Sequence, residues 1–463
     1  MSNYFNVISP VDGSVYAKRA FANENEIDNA ISAGSAAQKH WAKVSIEDRK
    51  KICMRALGIF EKSKHNIAQT LTWQMGRPIR YADGEISGFL ERAHFMIAAA
   101  ENALKNVPCQ RKSGFNRFIK REPLGLIAVI APWNYPYLTS VNTIIPAIMA
   151  GNTVILKHSK QTPLCAEQYA KILKKAGLPE GVFQFLHLSH KDTSRLIKAP
   201  EINFVTFTGS VSGGKAIEKT LAGSFVNVGL ELGGNDPAYV RSDANLNYTI
   251  ENLADGAFFN SGQSCCGIKR IYVNREIYPY FLEGFIEKIK CYKLGDPTKL
   301  DTTLGPLVSV SAADNIRAQV TKAKDSGGQT TINQNLFPAD TPGSPYMTPQ
   351  VMINVDHSMD IMREETFGPL VGIMRVSSDS EAITLMNDSR FGLTASVWTQ
   401  NLDVAKKIGE NVDTGTWFMN RCDYLDPELA WTGVKESGRG CTLSPLGYES
   451  LTRPKSFHLK TEI

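Results

Sequence analysis

Three short stretches carry residue types that together could do carbonyl chemistry. In Phe258-Phe-Asn-Ser-Gly-Gln-Ser-Cys-Cys-Gly267, small residues from Asn260 to Ser264 deliver a thiol, Cys265, just after a segment with helical spacing (Leu253, Gly256, Ala257, Asn260). At 230–234, Leu-Glu-Leu-Gly-Gly sets Glu231 at the end of an apolar run, and at 132–136 Pro-Trp-Asn-Tyr-Pro holds Asn134 between two prolines. A thiol nucleophile, a carboxylate base and a side-chain amide donor are the parts needed to add to a carbonyl and then hydrolyse the adduct. Each has a plainer explanation when taken alone. A cysteine among small residues is usually a packing residue, a glutamate between leucines a satisfied structural carboxylate, and an asparagine between prolines a turn residue. What sets Cys265 apart is its approach through Asn-Ser-Gly-Gln-Ser, which leaves the backbone room to reach a ligand.

Taken together, the three stretches resemble the aldehyde dehydrogenase superfamily, and the resemblance runs over nearly the whole length. Asn260-Ser-Gly-Gln-Ser-Cys265 is similar to the family's cysteine signature, which makes Cys265 the expected nucleophile and Cys266 only its neighbour. The resemblance implies that Glu231 is the general base, taking a proton from the water that attacks a thioester. It implies that Asn134 donates to the oxyanion, together with the backbone N–H of Cys265. The expected reaction is oxidation of a small-molecule aldehyde to the carboxylic acid with NAD or NADP, without a metal. The nearest alternative is a CoA-acylating aldehyde or semialdehyde dehydrogenase; such enzymes generally lack the base in Leu-Glu-Leu-Gly-Gly, so Glu231 argues for hydrolysis.

The same resemblance implies the cofactor residues. Phe207-Thr-Gly-Ser210, followed by Gly214, sits at a strand-to-helix junction, where free N–H groups and the helix dipole suit phosphate. It is not the Gly-x-Gly-x-x-Gly fingerprint, but it is similar to the family's turn and marks Gly209 and Ser210. Pro132, Trp133 and Leu232 are expected beside the dinucleotide, with Lys157 at the adenosine ribose. Glu365 and Phe367, in Glu-Glu-Thr-Phe-Gly-Pro (364–369), match the residues that hold the nicotinamide ribose and ring. One departure concerns Lys160, which stands where NAD-preferring members often carry a glutamate. An ammonium there would attract a 2′-phosphate, so NADP should be tolerated. Near the C-terminus, Ala430 and Thr432 replace a usual proline and glycine. Tyr135, Leu138, Thr139 and Asn142 should line the substrate tunnel, and Arg421 could hold a substrate carboxylate unless Asp423 and Asp426 neutralise it.

The elements that must position these groups are partly visible in the spacing. Residues 24–41 repeat apolar positions as a helix does. Ser45 with Asp48 resembles a capping box that opens a second helix through Leu57 and Phe60, and a third should cover 83–105. Apolar runs Ile127–Ala131, Thr153–Leu156, Val182–Leu186, Phe204–Phe207 and Phe225–Val228 alternate with amphipathic stretches such as 163–176, which ends at Gly177-Leu-Pro179. Strands buried on both faces and joined by helices imply a parallel sheet in a doubly wound α/β unit. A second α/β block should follow the cysteine, with strands Arg270–Asn274 and Leu370–Met374 and helices at 277–290, 311–326 and from Ser380.

The family architecture then assigns 1–106 and 124–231 to a Rossmann-type NAD(P)-binding domain and 232–450 to an α/β catalytic domain. The polar, basic segment around Gln110–Glu122 reads as an exposed hairpin, and Lys455–Lys460 alternates like an edge strand. These fall in 107–123 and 451–463, the expected β oligomerisation arm of a homodimer or homotetramer.

The totals set outer bounds. At 463 residues more than one structural unit is expected. A net charge of +5, without a basic tail or stripe, disfavours nucleic acid as a partner. Eight scattered cysteines suit a reducing compartment, and the start of the chain lacks the pattern of a signal peptide, so a cytoplasmic protein is expected. The longest apolar run, Leu124 to Trp133, is far short of the ~20 residues that span a membrane.

Overall fold

Strands that read as continuous apolar runs build the first sheet, because both of their faces are covered. Leu126–Ala131 is buried at every position. In the computed structural model, which describes residues 3–463, this strand lies between Ile202–Thr208 and Thr153–His158, parallel to both. The full order is Gly438–Arg439, Asn227–Glu231, Ile202–Thr208, Leu126–Ala131, Thr153–His158 and Phe183–Phe185, parallel except at the Gly438–Arg439 edge. The helix Pro136–Ala150, whose residues are nearly all buried, stands against this sheet, and the long helix Ile79–Ala103 packs on that helix.

The second sheet has seven strands: Gln329–Thr330, Gln350–Ile353, Leu370–Val376, Ile268–Asn274, Asp236–Val240, Thr394–Trp398 and Thr416–Met419. Only Gln329–Thr330 runs antiparallel to its neighbour. The chain passes from Glu231, at the carboxyl end of a first-sheet strand, to Asp236, at the amino end of a second-sheet strand. Cys265 likewise lies just before Ile268, where another second-sheet strand begins. Carboxyl ends of one sheet therefore meet amino ends of the other, and that seam holds the candidate site. The architecture is α/β with parallel, Rossmann-like sheets.

Thr452–Lys460 pairs with Phe115–Pro123 along its whole length, and Val107–Pro108 adds a third antiparallel strand. Phe118 stacks on Phe457 across the pair, with ring centroids 4.7 Å apart.

Several boundaries differ from the sequence reading. The strand expected at Phe225–Val228 is Asn227–Glu231, and Phe225 is fully exposed on the approach from the preceding helix. The helix expected from 83 begins at Ile79, where Pro78 supplies the N-cap position. The hairpin Tyr4–Ile8 with Val15–Ala20, the helix Lys64–Met75 and five strands of the second sheet had no clear period in the sequence.

Candidate active site

Three successive left-handed residues shape the approach to Cys265. The helix Leu246–Phe258 ends, and Asn260, Ser261 and Gly262 then take φ values of 53°, 56° and 69°. That conformation costs a non-glycine residue about 1–2 kcal/mol, so neighbours must hold it. Ser261 Oγ donates to the Gly305 carbonyl at 2.7 Å, and Gln263 accepts from Val308 N–H at 2.8 Å. Gly262 has no alternative, since a Cβ there would lie 2.2 Å from the Gly368 carbonyl oxygen. Lys269, itself buried, donates to Gly262 O at 2.8 Å and Gly368 O at 2.9 Å, and burial pulls its ammonium down to about 8.

Asn134 is tied to the same loop from the first sheet. Its Nδ2 donates to the Gln263 carbonyl at 3.2 Å, while Asn260 Nδ2 reaches Asn134 O at 3.4 Å. Arg77 links the two, donating to Asn134 O at 2.5 Å and to Asn260 Oδ1 at 3.3 Å. The guanidinium also pairs with Glu85, and both side chains are wholly buried. Glu85 accepts in turn from the N–H groups of Tyr137 (2.8 Å) and Leu138 (3.0 Å). A carboxylate thus satisfies the free N–H groups at the start of the helix Pro136–Ala150. Nothing in the local pattern of Met-Gly-Arg-Pro (75–78) marked Arg77 for this task.

Cys265 and Glu231 line one cavity of about 400 Å³, shared with Tyr135, Leu138, Thr139 and Asn142. Asn134 does not line it. The asparagine is 5% exposed and sits beneath, with one amide hydrogen committed to Gln263 O. Arg421 is outside as well, its guanidinium 3.7 Å from the centre of the Tyr424 ring. Asp423, by contrast, lines the cavity. Its Oδ1 accepts from Cys266 Sγ at 2.9 Å and Ser264 Oγ at 3.3 Å, and burial lifts its carboxyl to about 7.

Glu231 is clamped between two hydroxyls that the sequence reading missed. Thr442 Oγ1 donates to its Oε1 at 2.7 Å and Thr208 Oγ1 to its Oε2 at 3.0 Å. Burial raises its pKa; the two hydroxyls, and then the charge of Arg92, work against the rise. Glu231, Thr208 and Asn142 also border a second cavity of about 450 Å³, which excludes Cys265 and runs along the strand Asn227–Glu231 towards Thr442.

The residues expected at the dinucleotide gather along the carboxyl ends of adjacent first-sheet strands. Pro132 and Trp133 follow Leu126–Ala131; Lys157 closes Thr153–His158; Gly209 and Ser210 follow Ile202–Thr208; Leu232 follows Asn227–Glu231. Ser210 caps the helix Val211–Leu221, accepting from Gly213 N–H at 3.2 Å. From the second sheet, Phe367 stands edge-on to Trp133 at 5.7 Å, and Glu365 accepts from Gly234 N–H at 3.3 Å. Burial raises Glu365 to about 7.

A dinucleotide fits this groove. Lys157 is brought down to about 8 by burial and then by Lys160, and among the described residues neither lysine has an anionic partner. The Gly209 turn is kept bare, since a Cβ there would lie 2.6 Å from the Phe207 ring. Two cations without carboxylates, beside a bare turn that opens a helix, suit ribose hydroxyls and phosphate.

A thiol and a carboxylate on one cavity, beside strand ends that suit a dinucleotide, are the parts a dinucleotide-dependent enzyme acting on carbonyl compounds requires. The comparisons with known proteins narrow the class. A model of the aldehyde dehydrogenase family matches residues 1–457. A succinate-semialdehyde dehydrogenase [NADP(+)] of Mycobacterium avium is 32% identical over 447 residues, covering 96% of this chain and 92% of its own. A 3,6-anhydro-alpha-L-galactose dehydrogenase of Streptomyces coelicolor is 30% identical over 456 residues, covering 98% and 92%. The crystal structure of a succinic semialdehyde dehydrogenase from Streptococcus pyogenes in complex with NADP+ superposes with a TM-score of 0.94 at 27% identity, covering 98% and 100%. The chain belongs to the aldehyde dehydrogenase family and is an NAD(P)-dependent oxidoreductase.

Proposed function

We propose that the protein oxidises an aldehyde to its carboxylic acid through a thioester on Cys265, which Glu231 then hydrolyses. The observation that carries this reading is the placement of a half-buried thiol and a hydroxyl-clamped carboxylate on one cavity at the seam of the two sheets. The Cys265 sulfur, as thiolate, bonds to the carbonyl carbon, and the oxygen takes the negative charge. The backbone N–H of Cys265 steadies that oxyanion, joined by the second amide hydrogen of Asn134 where the oxygen reaches past the cavity lining to it. Bound in the groove, the dinucleotide supplies an acceptor for the hydride that leaves the tetrahedral carbon. A thioester remains on Cys265. Glu231 takes a proton from water as its oxygen attacks the thioester carbon, the C–S bond breaks, and acid and thiolate separate.

The cavity setting supports both halves. Water-poor surroundings raise Glu231 towards the pH at which a base both exists ionised and accepts a proton readily. Its retention speaks for hydrolysis over transfer to CoA. Lys160, exposed and free of ion pairs among the described residues, supports acceptance of NADP.

The test compares wild type with Cys265→Ala and Glu231→Gln in NAD(P)H formation, with CoA omitted. Wild type should release free acid catalytically, Cys265→Ala should form none, and Glu231→Gln should stop after about one equivalent per subunit. Catalytic turnover that requires CoA sinks the hydrolytic reading.

A further inference from the structure

The charge of the cavity around Cys265 carries one more step, which rests on the aldehyde-oxidising reading above. Its lining holds two cations, Arg77 and Arg92, and both are committed to the protein. Arg77 pairs with Glu85. Arg92, 7% exposed, donates to the Leu138 carbonyl and to Asn142 Oδ1, and Glu231 lies within its field. Glu91, Asp255 and Asp423 complete the charged lining, and among the described residues none of the three forms an ion pair. Glu91 accepts from Tyr424 Oη at 2.6 Å, and Asp423 is held by Cys266 and Ser264.

The charges of Lys288 and Lys269 reach Asp255 and Asp423, but no neighbouring cation pairs with these carboxylates directly. Lys288 is spent on Glu251 at 3.2 Å, Lys269 on two backbone carbonyls, and Arg421 lies on Tyr424 outside the lining. Four aromatic rings share the lining: Phe259 and Trp431, and Tyr135 and Tyr424, which already carry the guanidinium groups of Arg77 at 4.5 Å and Arg421 at 3.7 Å. Asn142 is 3% exposed with Nδ2 unpartnered, and the Tyr135 hydroxyl has no partner either.

We infer that this cavity selects aldehydes bearing a positive charge a few carbons from the carbonyl, and disfavours those bearing a carboxylate. Unpaired carboxylates on the walls of a cleft raise the local concentration of cations and repel anions, and the Phe259 and Trp431 rings add attraction for an ammonium group. A carboxylate-bearing aldehyde would meet the like charges of Glu91 and Asp255 and find both arginines already engaged.

Three aldehydes of graded charge test this: 4-(trimethylammonio)butanal, its neutral isostere 5,5-dimethylhexanal, and 4-oxobutanoate, each by kcat/KM at low salt. The cation should exceed the neutral aldehyde by about tenfold, and the anion should be poorest. In the double variant Glu91→Gln/Asp255→Asn the cation-to-neutral ratio should fall towards one. Partial misfolding scales both rates alike, so the ratio still reports the charge of the sites that fold. Preference for 4-oxobutanoate, or a ratio that survives the double substitution, overturns the inference while leaving aldehyde oxidation standing. Failure to oxidise any of the three overturns both.

Discussion

Replacing Thr442 with valine probes how the fold sets the working pH of Glu231. The hydroxyl donates to Oε1 at 2.7 Å, the shorter of the two bonds on this carboxylate. A hydrogen bond to a charged group contributes about 1.5–3 kcal/mol. The lower end applies, because Glu231 borders two cavities and water can partly replace the lost donor. At about 1.4 kcal/mol per pH unit, the acid limb of the hydrolytic step should move by about one unit. The sign follows from which form the bond favours. Thr442 stabilises the carboxylate, so its loss favours the protonated acid, which is no base, and the limb moves to higher pH.

The assay is the pH profile of steady-state kcat, with the pre-steady-state burst of NADPH recorded at each pH. On the acid side, Thr442→Val should be about tenfold slower than wild type in turnover, converging with it at high pH. The burst itself should persist, because Cys265 and not Glu231 forms the thioester. Thr442→Ser, which keeps a donor, should lie near wild type. A limb that stays in place or moves to lower pH refutes the reasoning. A burst that slows in step with turnover shows that Thr442 acts earlier than hydrolysis.

Other substitutions test separate parts of the structure. Asn134→Ala should lower kcat/KM by about 10²–10³ if its free amide hydrogen meets the oxyanion; a loss below fivefold would leave the backbone N–H of Cys265 as the main donor. Lys160→Glu should move the NADP-to-NAD ratio of kcat/KM towards NAD by at least about tenfold, since a carboxylate repels the 2′-phosphate; an unchanged ratio would show that Lys160 does not face it. Arg77→Met strands Glu85, whose side chain is 0% exposed, and should cost about 3–5 kcal/mol in denaturant unfolding; Arg77→Met/Glu85→Gln should recover part of that. Removing residues 452–463 takes away the strand that pairs from Thr452 with Pro123 to Lys460 with Phe115. If this sheet is the oligomerisation arm, light scattering should show the truncated chain as a monomer and the full chain as a dimer or tetramer.

What the sequence disclosed and what it hid divide by the range of the forces involved. Ile127–Ala131 and Thr153–Leu156 were legible because a strand covered on both faces is largely apolar, while Lys157 and His158, which end the second strand, were not. Phe225 misled for the same reason, being apolar yet fully exposed, so its run appeared to begin the strand two residues early. Cys265 stood out because its loop is local chemistry: three left-handed positions in a row need small or amide side chains, and these are consecutive in the chain. The clamp on Glu231 had no such signature. Thr442 is 211 positions away from the carboxylate it holds, in a C-terminal stretch that already departs from the family pattern at Ala430 and Thr432. A motif of a few residues can name the atom that reacts, whereas the ionisation of that atom is set by hydroxyls and guanidinium groups brought in by the fold. The contacts that tune this site therefore act at long range, at Thr442 on the base and at Glu91 and Asp255 on the cavity, where local spacing carries no record of them.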